Sequence, residues 1–279
     1  MTQKPLFLGM GGRVGRLIAP FLPADAILAG RRGPGLVWDL NTGPGPLLDH
    51  VARQGAPEAL VVLSGVTPAT GPDMAANTVL AQTAMAAAQA AGLRRVLLAS
   101  SAAVYGGAPR HAGEPPLHES DPAAPSSDYG RSKLAMEASA APFRDAGLQI
   151  CALRIGNVAG ADALLLNAPG PITLDRFADG GGPVRSYIGP ETLARVLLAL
   201  CDPEIDLPPL LNIAAPRPVT MQALAEAAGL PWSWQTAPPS AQQWQVMDCQ
   251  ALAALVPIMD SEAEPGTLVT QWRRAQESR

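Results

Sequence analysis

The sequence predicts an α/β protein: a doubly wound parallel sheet with helices on both faces, followed by a small C-terminal lobe. Three observations predict it. Short apolar runs alternate with stretches of helical periodicity as far as Gly160. The first of these runs enters a glycine-rich turn that leads into a helical pattern. Ala59-Leu60-Val61-Val62-Leu63 is apolar at every position, the pattern of a strand covered on both faces.

Lys4 to Leu8 is the first strand. The turn Gly9-Met10-Gly11-Gly12-Arg13-Val14-Gly15 follows, with Gly9, Gly12 and Gly15 in GxxGxxG spacing and Gly11 as a further point of close approach. Val14, Leu17, Ile18, Phe21 and Leu22 then recur at helical spacing. Such glycines permit a tight turn and bring backbone N–H groups near a diphosphate at a helix N-terminus. An ordinary glycine-rich βα turn is the plainer alternative. The second strand, Ala26 to Ala29, ends in Gly30-Arg31-Arg32. An acid at that place would bond the ribose 2′-hydroxyl of NAD, whereas an arginine accommodates the 2′-phosphate of NADP. Two arginines and no acid favour NADP, unless Arg31 and Arg32 are only solvated loop charges. Leu36 to Leu40 resembles a third strand, and Asp39 could reach an adenine amino group or cap a helix or turn.

A helix is expected from Leu47 to Gln54, and the fourth strand is Ala59 to Leu63. Ser64-Gly65-Val66-Thr67 lies at its C-terminal end, where ligands sit in such sheets. The candidate dinucleotide contacts are therefore Gly9, Gly11, Gly12, Arg13, Val14, Gly15, Arg31, Arg32, Asp39, Leu40, Ser64 and Gly65. An Ala-rich helix from Met74 to Ala91 is stopped by Gly92. The fifth strand, Arg94 to Ala99, runs into Ser100-Ser101-Ala102-Ala103-Val104-Tyr105-Gly106. A polar, Pro-rich loop from Gly107 to Asp128 is long enough to suspect function. It delivers the chain to a helix from Tyr129 to Phe143, ending near Gly147, and then to a sixth strand, Leu148 to Arg154. Tyr129 and Lys133 are four residues apart and so leave one helix face together. An ammonium favours the phenolate and would lower a phenol that starts near ~10 toward working pH. Taken alone, such a pair also occurs by chance on helix surfaces.

The 279 residues carry a formal charge of −4 and no Lys/Arg run, which argues against a nucleic-acid partner. Cys151, Cys201 and Cys249 are far apart, with no CxxC pair and no zinc spacing, and read as reduced thiols of a cytoplasmic protein. His50, His111 and His118 lack ligand spacing, so no metal is indicated. The N-terminus has no charged-then-apolar leader, and no apolar run approaches the ~20 residues that span a bilayer.

Five features occur in the order and spacing of one family. They are Gly9 to Gly15, Ser101 in Ser-Ser-Ala-Ala-Val-Tyr-Gly, the Glu119-Ser-Asp-Pro loop, Tyr129-Gly-Arg-Ser-Lys133, and Leu153-Arg154-Ile155-Gly156-Asn157-Val158-Ala159-Gly160. Over roughly its first 200 residues the chain resembles an extended short-chain dehydrogenase/reductase of the NAD(P)-dependent epimerase/dehydratase group. The resemblance implies a Rossmann-type sheet. It implies Tyr129 as general acid/base, Lys133 as the residue that holds the nicotinamide ribose and poises Tyr129, and Ser101 as the donor to the reacting oxygen. Ser100, its neighbour, is expected to bond backbone. Asn77 matches a family position that bonds backbone near the site, with a solvent-facing helix Asn as the equal alternative. Asn157 and Arg185 are candidate substrate contacts beside Ser101; Arg185 either meets a substrate phosphate or is a plain surface arginine at a loop edge. The chain departs from the pattern at Gly189-Pro190 and Thr192, where the family carries His-Val and Asp. Ala102 and Ala103 stand where a family dehydratase carries an acid pair.

Residues 1–160 are expected to form the dinucleotide-binding domain, with segments from 184–214 returning to it. Residues 161–183 and 215–279 would form the substrate lobe. Beyond Gly160 a helix from Glu191 to Cys201, a strand from Leu210 to Ala214 and a helix from Met221 to Ala228, capped by Thr220, are expected. Trp232, Trp234 and Trp244 either line a pocket or wedge the lobe together, the second being preferred. Asp248 would open a final helix, and Gln271 to Arg279 looks like a frayed tail. The expected function is NAD(P)-dependent hydride transfer, as oxidoreductase or epimerase, on a sugar-like or other small hydroxyl or carbonyl substrate, with NADP preferred to NAD and a homodimer in keeping with the family. The alternative is a non-catalytic NAD(P)-sensing regulator on the same fold, which would keep the glycine turn and lose the Tyr–Lys pair.

Overall fold

The computed structural model of the chain describes residues 4–71, 73–166 and 172–277. The elements begin with β1 (Leu6–Leu8), α1 (Arg13–Ile18), β2 (Ile27–Gly30), β3 (Leu36–Val37), α2 (Gly45–Gln54), β4 (Leu60–Val62), α3 (Ala76–Ala90), β5 (Arg95–Ser101), α4 (Asp128–Ala138), α5 (Ala141–Asp145) and β6 (Gln149–Ile155). They continue through β7 (Asn157–Val158), α6 (Ala163–Leu166), β8 (Ile172–Arg176), β9 (Val184–Ile188), α7 (Pro190–Leu200) and β10 (Leu210–Ile213). β11 (Pro218–Thr220), α8 (Met221–Ala228), β12 (Trp232–Thr236), β13 (Trp244–Gln245), α9 (Gln250–Leu255) and α10 (Pro265–Glu277) follow.

Seven strands pair in the order β10-β6-β5-β4-β1-β2-β3, every pair parallel. The strand alternation sorts two cores. Leu6, Leu8, Leu60, Val62, Val96 and Leu98 face α2, α3 and α4. Phe7, Val61 and Leu97 face the opposite side, under α1, α7, α8 and α10. This is the doubly wound sheet that the all-apolar strand pattern predicts. At the start of β5, Arg95 is buried and donates through Nε to Gln149 Oε1 at 2.7 Å. Its terminal nitrogens reach the carbonyls of Leu200, Asp202 and Ile205, so one guanidinium ties the C-terminal end of α7 to the sheet.

Smaller sheets extend from the end of β6. β9 pairs antiparallel with β11 and parallel with β13 and β7, and β12 pairs in parallel with β8. The Trp-rich stretch thus contains a strand. Trp232 and Trp234 meet edge to face at 4.9 Å between centroids, and a Cβ on Gly182 would lie 2.8 Å from the Trp234 ring, so this part of the stretch packs as a wedge.

Several expected elements differ, each for a local reason. α1 stops at Ile18 and gives way to a 3-10 turn, Ala19–Phe21, at Pro20. The third strand is only Leu36–Val37, because Asp39 accepts the Asn41 amide N–H at 3.0 Å and starts a turn. The helix expected over 129–143 is two: α4 ends at Ala138, and α5 begins just ahead of Pro142. The expected frayed tail is instead the C-terminal half of α10, with Gln271, Trp272 and Ala275 buried. Residues 278–279 of that tail, and 167–171 of the expected lobe, lie outside the described residues. Among the described residues no helix is long and apolar enough to cross a membrane.

Candidate active site

The glycine turn closes against the β4 end. Gly9 has φ +99°, and a Cβ there would lie 2.5 Å from Ser64 N. A Cβ on Gly15 would lie 2.6 Å from the Gly9 carbonyl oxygen, so both positions exclude any side chain. Gly11 differs: nothing lies within 4 Å of its missing Cβ, and it faces open space. The Gly12 N–H turns back to the Gly9 carbonyl at 2.8 Å, and the first bond of α1 runs from Arg16 N to Gly12 O. The N–H groups of Arg13, Val14 and Gly15 precede that bond and are the unpaired donors of a helix start. Arg13 reaches the Ala161 carbonyl at 3.4 Å, linking the turn to the segment after β7. Arg31 and Arg32 are exposed at the end of β2. The Asp39 carboxylate is taken by the Asn41 backbone and side-chain amides, and Leu40 is buried in the core beneath, so the capping alternative describes Asp39 here.

Beside the turn, Asn77 is 2% exposed and inward. Its Oδ1 accepts from Val66 N at 2.8 Å, and its Nδ2 donates to Val66 O at 2.9 Å and Ser132 Oγ at 3.0 Å. It therefore fixes the loop after β4 onto α4. A Cβ on Gly65 would lie 2.7 Å from Asn77 Oδ1 and 3.3 Å from Lys133 Nζ, so only glycine leaves that space open.

α4 starts where Ser127 Oγ caps the Gly130 N–H at 3.0 Å. Gly130 lets the helix approach the sheet end, since a Cβ there would collide with the Ala103 carbonyl. Three consecutive residues of β5 then meet three α4 residues spaced four apart. Ala99 O accepts from Lys133 Nζ at 2.7 Å, Ser100 Oγ donates to Glu137 Oε1 at 2.5 Å, and the Ser101 hydroxyl hydrogen-bonds with Tyr129. Ser101 Oγ also accepts from Ala103 N at 3.2 Å. Lys133 Nζ lies 5.9 Å from the Tyr129 ring centroid. Ser100 thus bonds a carboxylate, not the backbone that the sequence suggests.

The electrostatics revise one expectation. The Tyr129 phenol stands above its ordinary value, because burial outweighs the Ser101 hydrogen bond. Lys133 is pulled from 10.5 to about 8 by burial, with the Glu137 carboxylate opposing the fall. In the chain by itself the lysine does not bring the phenol below its usual range; burial favours the neutral form of both groups, raising the phenol and lowering the ammonium.

Behind this pair lies a network that the sequence did not reveal. Glu137 and Arg154 are 5% and 3% exposed, and Arg154 Nη2 meets Glu137 Oε2 at 2.9 Å while Nε meets Oε1 at 3.1 Å. The guanidinium stacks 4.7 Å from the Tyr105 ring, and Tyr105 OH donates to Asn212 Oδ1 at 2.6 Å. Asn212 N donates to Glu119 Oε1 at 2.8 Å, which ties the Pro-rich loop to β10. The only hint in sequence is that Glu137 continues the four-residue spacing of Tyr129 and Lys133.

On the far side, Asn157 pairs in register with Tyr187 and shares a hydrogen bond with it. Arg185 is not a free surface arginine: Nη1 donates to the Val184 and Gln243 carbonyls at 2.8 and 3.0 Å, and Nη2 to the Gln242 carbonyl at 2.7 Å. Burial holds its guanidinium below the usual arginine value. Gln245 Nε2 reaches the Ala102 carbonyl at 3.3 Å, bringing β13 to the serine end of β5. At the departure noted in the sequence, a Cβ on Gly189 would collide with Gln271, whose Oε1 accepts from Thr192 N at 3.1 Å and whose Nε2 donates to Thr192 Oγ1 at 3.0 Å. A separate cleft of about 600 Å³ lies between α7 and α10, where Arg195 pairs with Glu262 and Arg274 with Glu191. It contains none of the clustered serine, tyrosine and lysine. Among the described residues no group of three His, Cys, Asp or Glu side chains is placed to hold a metal.

Comparison with known proteins gives three kinds of match. Residues 46–173 match the model of the NAD dependent epimerase/dehydratase family. The chain is 36% identical over 157 residues to UDP-glucose 4-epimerase of Azospirillum brasilense, a match covering 51% of this chain and 43% of that protein. It is 43% identical over 72 residues to UDP-glucose 4-epimerase of Lacticaseibacillus casei, covering 25% of this chain and 20% of that protein. The matched region thus spans less than half the length of these curated relatives. Among solved structures, MoeE5 in complex with UDP-glucose and NAD superposes with TM-score 0.75 at 22% identity, over 99% of both chains. UDP-glucose 4-epimerase from Brucella ovis in complex with NAD gives TM-score 0.77 at 19% identity, over 96% of both. At these identities the structural likeness is one of fold.

Proposed function

We propose that the chain, whose residues 46–173 match the NAD dependent epimerase/dehydratase family, is an NAD(P)-dependent epimerase or oxidoreductase acting on a sugar-like hydroxyl or carbonyl substrate. One observation carries the proposal: Ser101, Tyr129 and Lys133 converge at the end of β5, beside the Gly65 loop and on the same sheet end as the glycine turn. The relatives are UDP-glucose 4-epimerases, and neighbours of this fold hold NAD and UDP-sugars, which supports a nucleotide sugar as the first substrate to try.

The residues fit a dinucleotide. Gly11 opens onto free space, the first N–H groups of α1 lack intrahelical partners, and Gly65 leaves room above Asn77 and Lys133. Gly9, Gly11, Gly12, Arg13, Val14 and Gly15 would hold the diphosphate, Ser64 and Gly65 the ribose side, and Arg31 and Arg32 a 2′-phosphate. Asp39, engaged with Asn41, would line the adenosine end with Leu40 behind it. A bound nicotinamide would accept and return hydride.

Tyr129 would hold or move the proton at the substrate oxygen, and its phenol is kept protonated by burial when no charge is added beside it. Ser101 would donate to the same oxygen. Lys133, fixed on Ala99 O, would bond the ribose and supply the charge that lets the phenol ionise during transfer. Ala102 and Ala103 offer no acid to expel water, so dehydration is not the reaction proposed. The substrate would lie against Asn157, Gln245 and the β7–β9–β13 sheet, with Arg185 steadying the 242–243 segment and turned to its carbonyls. Residues 161–183 and 215–279 would form the substrate lobe and residues 1–160 with 184–214 the dinucleotide domain, with β9 pairing to β11 and β13 of the lobe.

With UDP-glucose as substrate and NAD or NADP supplied, the purified chain should form UDP-galactose or an oxidised sugar, read by chromatography and mass. Tyr129→Phe should lose at least about a hundredfold. Equal turnover by the variant, or failure of the protein to bind either dinucleotide, refutes the assignment. The NADP preference has its own titration: NADP should bind more tightly, and Arg31→Ala with Arg32→Ala should erase the difference. Equal affinities in the unaltered protein would reject that part.

A further inference from the structure

Tyr129, Lys133 and Glu137 follow one another at four-residue spacing on α4, and all three are met by consecutive residues of β5. The first two are the proposed reacting pair. The third is the only carboxylate among them, it is buried, and the proposed chemistry gives it no proton to move. A buried carboxylate is costly unless it is paired and bonded. Here it is held on three sides: Ser100 Oγ and Arg154 Nε share Oε1, and Arg154 Nη2 takes Oε2. Such a doubly held carboxylate cannot swing away, so its charge is fixed in place.

We propose that Glu137 is a positioning residue for the reacting pair: anchored by Ser100 and Arg154, its carboxylate keeps α4 in register on β5 and presents a fixed negative charge to Lys133 one helical turn away. The inference rests on the reading of Tyr129 and Lys133 as the groups that react. Around Lys133 the neighbours are Tyr129, Met136 and Glu137 on its own helix, the Ala99 carbonyl of β5, and Asn77 of α3 across Gly65. Of these, Glu137 alone carries a charge. Around Glu137 the charged groups are Lys133, Arg154 of β6 and, more distantly, Arg144 of α5. Arg154 carries the tie outward, since Nη1 reaches the Glu119 carbonyl at 3.3 Å and the guanidinium lies on Tyr105. The Pro-rich loop, the reacting helix and β10 therefore share one ionic anchor.

The sequence allows a direct measurement. Lysine occurs only at positions 4 and 133. Protein grown with lysine labelled with ¹³C at the ε carbon gives two signals, and Lys133→Met assigns them. In the unaltered protein the Lys133 signal should titrate near the value of about 8 that burial imposes. Glu137→Gln keeps the shape and the Ser100 contact but removes the charge; it should move that midpoint down by about one pH unit. The paired replacement Glu137→Met with Arg154→Leu removes the carboxylate without leaving the guanidinium unpaired and should give a smaller shift in the same downward direction. A purely architectural role would lower the melting temperature and leave the midpoint where it was. An unmoved midpoint in either folded variant overturns the proposal. So does failure of both variants to fold, because the pair would then be a requirement of the fold alone. The titration needs no turnover: a clear shift in a protein inactive on every sugar nucleotide would fault the proposed function and leave this contact standing.

Discussion

Replacing Lys133 by methionine should make the protein more stable at neutral pH. Lys133 is 4% exposed, and burial pulls it from 10.5 to about 8. In the unfolded chain it would titrate near ~10.4. The folded value is the lower one, so between about pH 8 and pH 10.5 the unfolded chain holds a proton that the folded chain has released, and stability rises with pH across that window. Below pH 8 the penalty is present in full. The 2.5-unit gap, at about 1.4 kcal/mol per unit, is roughly 3 kcal/mol. The substitution also removes the hydrogen bond to Ala99 O, about 1 kcal/mol. The net gain at pH 7 is then about 2 kcal/mol, and it should decay to a loss of about 1 kcal/mol near pH 10.5. Urea unfolding of both proteins at pH 7, 8, 9 and 10 gives the difference directly, and other titrating groups cancel in it. A difference that stays flat with pH would show that Lys133 is not desolvated as the structure has it.

Gly65→Ala should push Asn77 off the Val66 backbone, costing about 1–3 kcal/mol by urea unfolding and weakening dinucleotide binding measured by tryptophan fluorescence; unchanged affinity would show that this space is not part of the binding site. Arg95→Met should cost about 2–4 kcal/mol, because the carbonyls of Leu200, Asp202 and Ile205 lose their donor; a cost under about 0.5 kcal/mol would mean that water replaces the guanidinium freely. Gln271→Ala should cost about 1–2 kcal/mol by strand-end and helix-end loss at Thr192, and calorimetry showing no change in melting temperature would contradict the cap.

Much of this arrangement was legible because it is local. Leu6-Phe7-Leu8 and Leu60-Val61-Val62 are apolar whichever face they turn to, so they read as central strands, and the glycine turn is written in seven consecutive residues. Tyr129 and Lys133 are neighbours by helix geometry alone. What was missed depends on distance along the chain. Glu137 and Arg154 are 17 residues apart on different elements, and neither has a partner that sequence spacing could suggest. Arg185 looked available because its acceptors are backbone carbonyls of residues 242 and 243, which no side-chain pattern announces. Asn77 was ambiguous for a similar reason, since its main partner is the main chain of Val66. Leu268, Val269, Trp272 and Ala275 have the spacing of a buried helix face, and Pro142 marks the break between α4 and α5. The phenol of Tyr129 went the other way from expectation because desolvation, which sequence cannot measure, exceeds the pull of its neighbours.

The Gln271 side chain seated on Thr192 also sets a clock. Its partner is 79 residues upstream, and ribosomes add roughly 5–20 residues per second. For about 4–16 seconds of synthesis the first turn of α7 is made but has no cap, and the apolar face on which α10 will lie is open. A nascent chain in that interval exposes Leu17, Ile18 and Leu193, members of the same core that Leu268 and Trp272 later complete. The dinucleotide-side elements, from β1 to β6, are already made by then. The half of the sheet that faces α2, α3 and α4 can thus consolidate early, while the other face waits for α10.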